Sequence, residues 1–317
     1  MDISIVIVSW NVSGLLRNCL RSVHAELERN DEFSVETFLI DNSSADDTVD
    51  MVRREFPWVQ LIVNDRNVGF TRANNQALPL TSGRYILLLN PDTEMLPGLI
   101  RTLVTYADSH PTVGVIGPKL LFPTGRVQSS RRRFPRYATA FIESTVLQRY
   151  FPRNRLLREY YLADVPDDQL QEVDWVVGAC LLVRREAIGR EGLFDERYFM
   201  YSEELDLCYR LKKAGWKVMY HPEARVVHHE AQSSDQDVLS RNIHFHDSKC
   251  KYFGKTQGKV REQILRAFIV GTFVFQLIEE SMKYILVARN RDMRRHRLSV
   301  LAAAARWHLA RLICVSG

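Results

Sequence analysis

The sequence lacks the features that assign a chain to the membrane-spanning, secreted or zinc-binding classes. Its 317 residues contain no apolar run of 18 or more, which argues against a spanning helix. The amino terminus reads Met-Asp-Ile-Ser-Ile-Val-Ile-Val and has no basic start of a signal peptide. The cysteines are odd in number and show no Cys-X-X-Cys spacing. They are Cys19, Cys180, Cys208, Cys250 and Cys314. We therefore expect a cytoplasmic protein with reduced, mostly buried thiols.

Several catalytic and repeat signals are missing as well. No Gly-X-Gly-X-X-Gly motif follows the first apolar run, so a dinucleotide-binding site loses its main sequence support. No nucleophile elbow or comparable triad signal occurs, and covalent catalysis is not indicated. There is no internal repeat, and a composition of 46% hydrophobic and 26% charged residues excludes wholesale disorder. A chain of this length forms one large domain or two small ones with an ample core.

Positive charge is modest overall but concentrated locally. With 43 Lys and Arg against 38 Asp and Glu, the net charge is only +5. Residues 126–158 carry +8, residues 249–297 carry another +8, and the remainder carries −11. Two basic zones on an acidic body indicate a polyanionic partner or surface, and solvated surface charge is the alternative. Neither zone has a motif such as an RNA-recognition signature, so nucleic acid is not an expected partner.

The first 120 residues alternate between strand and helix patterns. Ile3–Val8 is a continuous apolar run, as in a strand covered on both faces, and residues 12–28 follow with helical spacing. Further strands are predicted at Val35–Ile40, Leu61–Val63 and Tyr85–Leu89, with helices between them. This alternation predicts an α/β fold with a mostly parallel central sheet and helices on both faces.

The rest of the chain is less regular. Residues 121–170 lose periodicity and are expected to form loops and short helices over the sheet. Beyond residue 250, an apolar dozen precedes a basic cluster and then an alanine-rich helix that ends at Leu312. The elements and segments predicted here are a strand at Val173–Val183, a helix at Glu203–Ala214, strands at Lys217–Tyr220 and Arg225–His228, and the dozen Ala267–Ile278. The basic cluster comprises Arg289, Arg291, Arg294, Arg295 and Arg297.

Polar side chains follow each of the first four predicted strands. In an open parallel sheet, ligands bind beyond the carboxyl ends of the strands, so these side chains mark the expected site. They lie in Ser9-Trp10-Asn11, Asp41-Asn42, Asn64–Phe70 and Asn90-Pro91-Asp92-Thr93. Asp41 is suited to accept from a base N–H or a ribose hydroxyl, or it caps the next turn. Asp92 is suited to hold Mg²⁺ or Mn²⁺ against phosphates, or it is an N-cap or turn residue before the helix predicted at Pro97.

Two later segments carry further candidates. Glu203, Glu204 and Asp206 fall within one helical turn, where crowding raises a carboxyl pKa and prepares a general base. The alternative is ordinary acid enrichment at a helix N-terminus, and Asp206 lies four residues before Arg210, which favours an ion pair. His228 and His229 end a strand and point to opposite faces, so only one of them reaches the site.

Taken together, these segments resemble glycosyltransferase family 2, a group of GT-A-type enzymes. The motifs run in order: Ser-Trp-Asn, Asp-Asn-Ser-Ser, Asn-Val-Gly-Phe-Thr-Arg-Ala-Asn-Asn, Leu-Leu-Leu-Asn-Pro-Asp-Thr, Val-Asp-Trp-Val-Val-Gly-Ala-Cys, Phe-Asp-Glu-Arg-Tyr-Phe-Met-Tyr and Glu-Glu-Leu-Asp-Leu-Cys-Tyr-Arg. They span residues 1–255 and are most similar to bacterial rhamnosyltransferases that build surface polysaccharides. The resemblance implies a Rossmann-like GT-A sheet with a helical C-terminal extension.

The resemblance also implies a role for each matching residue. Nucleotide-sugar contacts fall to Ser9, Trp10, Asn11, Asp41, Asn67, Gly69, Phe70, Arg72, Asn75 and Asn90. The sugar and acceptor pocket falls to Trp175, Gly178 and Ala179, and the divalent cation to Asp92 and His228. Glu204 matches the catalytic base, with Glu203 and Asp206 as alternatives. The sequence departs from the family at Asn90, which replaces the first Asp of the metal motif, at Glu204, which replaces Asp, and at Val177.

The implied activity is an inverting transfer of a sugar, L-rhamnose from dTDP-rhamnose, to a hydroxyl of a glycan or a polyprenyl-diphosphate-linked acceptor. A different sugar, such as N-acetylglucosamine or galactofuranose, is one alternative, and a non-catalytic nucleotide-sugar-binding subunit is another. Residues 1–120 are expected to form the nucleotide-sugar half, 121–255 the acceptor half and 256–317 the helical extension.

The apolar segments suggest a location and a further contact. Phe141–Leu162 and Ala267–Val287 mix apolar and aromatic residues with flanking Arg, as interfacial helices do, which predicts peripheral binding to the inner face of the cytoplasmic membrane. For the apolar dozen, packing on the sheet and a homodimer interface are the competing interpretations.

Overall fold

The computed structural model describes residues 1–29, 32–189, 192–229, 237–286 and 290–313, so Cys314, Arg289 and Val287 lie outside the described residues. The chain forms two compact units. The first unit comprises Met1–Phe134, Tyr161–Phe199 and Glu203–Ser233, and the second comprises Pro135–Tyr160, Met200–Ser202 and Ser234–Gly317. The sequence analysis expected a nucleotide-sugar half at residues 1–120 and an acceptor half at 121–255. Strands from both of these ranges lie in one sheet, so both contribute to the first unit.

The strands belong to the first unit and mostly to one sheet. In chain order they are β1 Ile3–Ser9, β2 Val35–Asp41, β3 Gln60–Val63, β4 Tyr85–Leu89, β5 Thr93–Met95, β6 Val113–Leu121, β7 Val127–Gln128, β8 Arg131–Arg132, β9 Gln171–Val173, β10 Trp175–Val176, β11 Cys180–Arg184 and β12 Lys217–His228. The sheet order is β3-β2-β1-β4-β11-β6-β12-β5, with β7 on β6 and β9 on β12, while β8 and β10 pair separately.

The helices divide between the units. They are α1 Ser13–Arg29, α2 Thr48–Glu55, α3 Phe70–Ala77, α4 Leu99–Ser109, α5 Tyr137–Ile142, α6 Val146–Tyr150, α7 Arg155–Tyr160, α8 Glu203–Lys213, α9 Val238–Gln257, α10 Lys259–Leu286 and α11 Arg291–Ile313. Short 3₁₀ turns lie at Leu78–Leu80 and Arg185–Ala187. The helices α1–α4 and α8 belong to the first unit, and the others to the second. Within the described ranges, no helix has the length and apolarity needed to cross a bilayer.

The alternating pattern of the first 120 residues is confirmed. β1 pairs in parallel with β2 and β4, and β2 pairs in parallel with β3. Continuous apolar runs give strands that are buried along their length, as in β1 and β4. The expected buried thiols are also confirmed for the four described cysteines, which are free and buried.

Two strand predictions are wrong. The expected strand Val173–Val183 is three short strands, because β9 pairs with β12, β10 pairs with β8 and β11 pairs with β4. Residues between β10 and β11 form a turn that includes Gly178 and Ala179. The two expected strands Lys217–Tyr220 and Arg225–His228 are one strand, β12, with an irregularity between His221 and Arg225. β6, which pairs with both β11 and β12, lies where no strand was predicted.

Candidate active site

Ser9 and Asp41 lie side by side at the carboxyl ends of β1 and β2. Both side chains are fully buried. Asp41 Oδ2 accepts from the Ser44 main-chain N–H at 2.9 Å, so Asp41 does cap the following turn. Its other oxygen, Oδ1, and the Ser9 hydroxyl have no hydrogen-bond partner within the described residues. Since buried polar atoms are nearly always paired, these two atoms are suited to meet a ligand.

Trp10 and Asn11 continue from β1 into a turn. Asn11 has φ +53°, a conformation that Asn tolerates better than most residues. Its N–H donates to Ser44 Oγ at 2.9 Å, and its Oδ1 accepts from the Ala45 N–H at 2.6 Å. Trp10 is half-buried beside it. The Asn11 side chain therefore holds the two strand-end turns together.

Asn42 organises the loop before α3, a role that sequence reasoning missed. Its Oδ1 accepts from Asn64 Nδ2 at 3.0 Å and from the Val68 N–H at 3.3 Å, and its Nδ2 donates to the Gly69 carbonyl at 3.3 Å. Asn67 Oδ1 accepts from the Gly69 N–H at 2.9 Å. These bonds fix the loop 64–69, which includes two of the residues expected to contact the nucleotide sugar, Asn67 and Gly69. The position of Asn42 directly after the end of β2 was the sequence feature that could have indicated this role.

The start of α3 is anchored to the segment 194–199. Gly69 has φ +88°, and the neighbouring Phe70 N–H donates to the Phe199 carbonyl at 2.9 Å. Asn75 Nδ2 donates to the Phe194 carbonyl at 2.9 Å, and Asn75 Oδ1 accepts from the Phe194 N–H at 3.1 Å. Arg72 Nε lies 3.1 Å from a Glu196 oxygen. Asn75 and Arg72 thus contact this segment and hold α3 in place.

Asp92 and His228 meet where β5 pairs with the end of β12. His228 Nε2 lies 3.4 Å from Asp92 Oδ1, and both side chains are buried. His228 Nδ1 lies 2.8 Å from Gln128 Oε1, and this contact orients the ring so that Nε2 faces Asp92. The neighbouring His229 pairs with Glu94 at 2.8 Å. As expected, only one of the two histidines faces this group.

These residues suit a cation that is shared with phosphates. No cluster of three or more His, Cys, Asp and Glu ligands occurs in the described part of the chain. A carboxylate and an imidazole nitrogen nevertheless converge, and the Oδ1 atom of Asn90, two residues before Asp92, is buried without a partner among the described residues. Mg²⁺ and Mn²⁺ bound to substrate phosphates commonly take only one or two protein ligands.

The turn between β10 and β11 contacts both the segment Asn90-Pro91-Asp92 and the acidic start of α8. The Asn90 N–H donates to the Ala179 carbonyl at 2.9 Å. A side chain built at Gly178 would lie 3.5 Å from Cβ and Cγ of Glu204, so Gly178 and Glu204 are in direct contact. Glu204 Oε2 and Glu203 Oε2 are both buried without a partner in the described structure.

Burial raises the pKa of both glutamates. For Glu204, main-chain N–H groups, including that of Gly178, and the Arg132 charge act in the opposite direction. For Glu203, burial and the neighbouring Glu204 charge both raise the pKa, to well above its ordinary value. Both carboxyls therefore hold a proton more tightly than an exposed glutamate does, and the ionisation of one makes the ionisation of the other harder.

Asp206 and Trp175 have structural partners. Asp206 is fully buried, and Arg210 Nε donates to it at 2.9 Å, as the i,i+4 spacing predicts. The guanidinium of Arg210 also donates to the carbonyls of Gly192 and Leu193. Trp175 Nε1 donates to the Arg133 carbonyl at 3.0 Å.

Arg132 lies over two aromatic rings close to this group. Its guanidinium carbon is 4.6 Å from the ring centroid of Tyr161 and 5.9 Å from that of Trp175. Arg132 is also the charge that acts on the Glu204 carboxylate. It is a second residue that sequence reasoning did not assign to the site, and Arg in an aromatic setting was its only signal.

Comparison with known proteins agrees with this geometry. The model of a family described as "Glycosyltransferase like family 2" matches residues 1–242. An N-acetylglucosaminyl-diphospho-decaprenol L-rhamnosyltransferase of Mycobacterium tuberculosis is 34% identical over 255 residues, which cover 77% of this chain and 81% of that protein. Rhamnosyltransferase WbbL of Escherichia coli is 30% identical over 188 residues, or 56% of this chain and 67% of WbbL.

A solved structure shows the same fold. The mannosyltransferase PcManGT of Pyrobaculum calidifontis, in complex with GDP-Man and Mn²⁺, aligns with a TM-score of 0.55 over 97% of this chain and 87% of that one, at 14% identity. At that identity the likeness concerns the fold alone. The family match, in contrast, covers most of the chain, and the chain belongs to glycosyltransferase family 2.

Proposed function

We propose that this protein transfers L-rhamnose from dTDP-rhamnose to a hydroxyl of a polyprenyl-diphosphate-linked glycan, with inversion at the anomeric carbon. The observation that carries the proposal is a set of buried oxygens without a partner in the described structure. They belong to Ser9, Asp41 and Asn90 at the carboxyl ends of neighbouring strands and to Glu204 at the start of α8. The names of the M. tuberculosis and E. coli relatives support the choice of rhamnose and of a lipid-linked acceptor.

Asp41 and the loop 64–69 would bind the nucleotide. The free Oδ1 of Asp41 is an acceptor suited to a base N–H or a ribose hydroxyl, and Ser9 Oγ lies on the adjacent strand. The loop is held by Asn42, so little ordering entropy is lost when a diphosphate binds against it.

Asp92 and His228 would hold a divalent cation, Mg²⁺ or Mn²⁺, together with the donor diphosphate. When bound, such a cation neutralises the charge that develops on the leaving diphosphate. Gln128 would orient His228 for this contact.

Glu204 would act as the general base. Its carboxylate takes the proton of the acceptor hydroxyl while that oxygen forms the bond to the anomeric carbon, and the bond to the diphosphate breaks with its electron pair. The raised pKa makes Glu204 a stronger base than an exposed glutamate. Asp206 is not available for this role because Arg210 pairs with it.

The test is nucleoside diphosphate release from a donor panel of dTDP-rhamnose, UDP-N-acetylglucosamine and UDP-galactofuranose, with a short-chain polyprenyl-diphosphate-linked N-acetylglucosamine acceptor. We expect turnover with dTDP-rhamnose, and at least a hundredfold loss in Glu204→Gln with donor binding retained. The exposed Glu186→Gln is the matched control. Turnover with another donor and not with dTDP-rhamnose would show that the transferred sugar is not rhamnose. Donor binding measured by calorimetry without any turnover would indicate a non-catalytic subunit. Full activity of both Glu204→Gln and Asp92→Ala would refute the assigned roles.

A further inference from the structure

Helix α10 is apolar on two opposite faces. On one face Leu265, Ile269 and Phe273 are buried in the second unit. On the other face apolar residues recur at helical spacing and are exposed to solvent, with Ile278 and Ile285 at 58% and 72% exposure. We call the exposed set the α10 stripe: Ile264, Ala267, Gly271, Val274, Phe275, Ile278, Met282 and Ile285. It runs for about 30 Å along the helix.

An exposed stripe of this kind is unusual for a surface helix. Such helices place charged and polar residues on the face opposite the core, whereas helices that are apolar all round are covered on both faces. Contiguous exposed apolar area commonly marks a protein or membrane contact. The α10 stripe is therefore expected to have an occupant.

The neighbouring helix α6 extends the apolar surface. Tyr150 at its end and the following Phe151 are 56% and 60% exposed, and the Tyr150 ring lies 6.5 Å from that of Phe275, edge to face. Glu279, which follows Ile278 of the stripe, is paired with Arg149 at 2.5 Å and with Lys283 at 2.6 Å, so its negative charge is balanced. Exposed aromatic rings beside arginines are typical of segments that lie at a membrane interface.

The charge of the second unit selects between two possible occupants. This unit holds 20 Lys and Arg against nine Asp and Glu, a net charge of +11, whereas the first unit is at −6. A second copy docked through the same stripe would bring two units of +11 together. An anionic lipid surface instead attracts such a unit, by about 1 kcal/mol for each basic residue near the surface.

We propose that the α10 stripe, with Tyr150 and Phe151, docks the second unit onto the surface of an anionic bilayer. The helix lies in the interface with its apolar side chains in the acyl boundary, and the surrounding arginines and lysines contact lipid phosphates. The proposal rests on the proposed function, since a polyprenyl-linked acceptor is held at that surface.

The experiment is sedimentation of the full chain with vesicles of phosphatidylglycerol and phosphatidylcholine, and with phosphatidylcholine alone, at low and high salt. The variant is Ile278→Ser with Met282→Ser, and the control is Leu80→Ser with Leu170→Ser, which removes two leucines of similar exposure in the first unit. We expect binding to anionic vesicles that weakens with salt, and a loss of about tenfold or more in the partition coefficient for the stripe variant only.

Equal vesicle binding by the stripe variant and the wild type would overturn the proposal. It would also be overturned if light scattering showed a wild-type dimer that the stripe variant converts to a monomer, because the stripe would then bind a second copy. Thermal unfolding of the stripe variant at the wild-type temperature establishes that it folds. Vesicle sedimentation tests docking without any turnover, and the assay with the short-chain acceptor tests turnover without any vesicle. Failure of the proposed function is therefore distinguishable from failure of docking.

Discussion

Replacing Gly69 by alanine tests whether the loop before α3 is as tightly built as the structure indicates. Gly69 has φ +88° and ψ 161°, a region that is essentially restricted to glycine, and a residue with a side chain loses about 1–3 kcal/mol there. An added Cβ would lie 2.7 Å from both the carbonyl oxygen and Cδ2 of Phe199. That carbonyl must move, which weakens its bond from the Phe70 N–H by about 1 kcal/mol.

The free energy of unfolding of Gly69→Ala should therefore fall by about 2–4 kcal/mol, measured by urea denaturation. Gly98→Ala is the matched control, because Gly98 has φ +84° but no described atom within 4 Å of an added Cβ. It should cost only about 1 kcal/mol. Isothermal titration with dTDP should show weaker binding for Gly69→Ala and unchanged binding for the control. If Gly69→Ala costs no more than Gly98→Ala, the proposed crowding against Phe199 is wrong.

Three further substitutions probe the carboxyl pair, the cation site and the second unit. Because the pKa of Glu203 is raised, its carboxyl binds a proton more tightly folded than unfolded, and stability falls as pH rises from its ordinary value of 4.5 through the raised one. In Glu203→Gln the free energy of unfolding, measured by urea denaturation at several pH values, should fall less as pH rises. This variant should keep turnover, whereas Glu204→Gln should lose it. Gln128→Ala should release His228 and weaken Mn²⁺ binding about tenfold or more by electron paramagnetic resonance. Arg266→Met removes one of the two cations that contact each of the buried carboxylates Asp247 and Glu262, which keep Lys251 and Lys259, and it should cost about 1–3 kcal/mol in urea denaturation.

Each of these substitutions has an exposed control of the same residue type. The controls are Glu186→Gln, Gln169→Ala and Arg306→Met, and all three should match the wild type. Loss of turnover in Glu203→Gln, with turnover kept in Glu204→Gln, would mean that Glu203 and not Glu204 is the general base. Unchanged Mn²⁺ affinity in Gln128→Ala would remove Gln128 from the cation site, and a cost below 1 kcal/mol for Arg266→Met would mean that the buried ion group in the second unit is not essential to its stability.

The strands and helices of the first 120 residues could be predicted because their pattern is local. An apolar run such as Ile3–Val8 or Tyr85–Leu89 shows by itself that both of its faces are buried. The strand break at Gly178 could not be predicted, because it depends on which distant strand each short segment pairs with. Val176 pairs with Arg131, and Cys180 pairs with Leu89, so one apolar run serves two sheets.

The same distinction applies to the site. The rule that ligands meet the carboxyl ends of parallel strands indicated Ser9, Asp41 and Asp92 from position alone. The contact between Gln128 and His228 joins residues 100 positions apart. Nothing in the local sequence of Gln128 indicates that contact, because it arises only when β7 and β12 both pair with β6.

The two ends of the central strands differ in how their buried polar groups are paired, and this difference supports placing the proposed ligand site at the carboxyl end. At the amino end, Ser4 Oγ donates to Glu36 at 2.6 Å and accepts from the Gly83 N–H at 2.9 Å, and Ser82 also donates to Glu36. At the carboxyl end of the same strands, Ser9 Oγ and Asp41 Oδ1 are equally buried but unpartnered within the described residues. Each unpaired buried atom costs about 1–3 kcal/mol, and the fold satisfies comparable groups at the other end of the sheet. At the carboxyl end this cost falls where the sheet topology predicts a ligand, and the interactions that a sugar donor would supply there are ones that the fold itself leaves unmade.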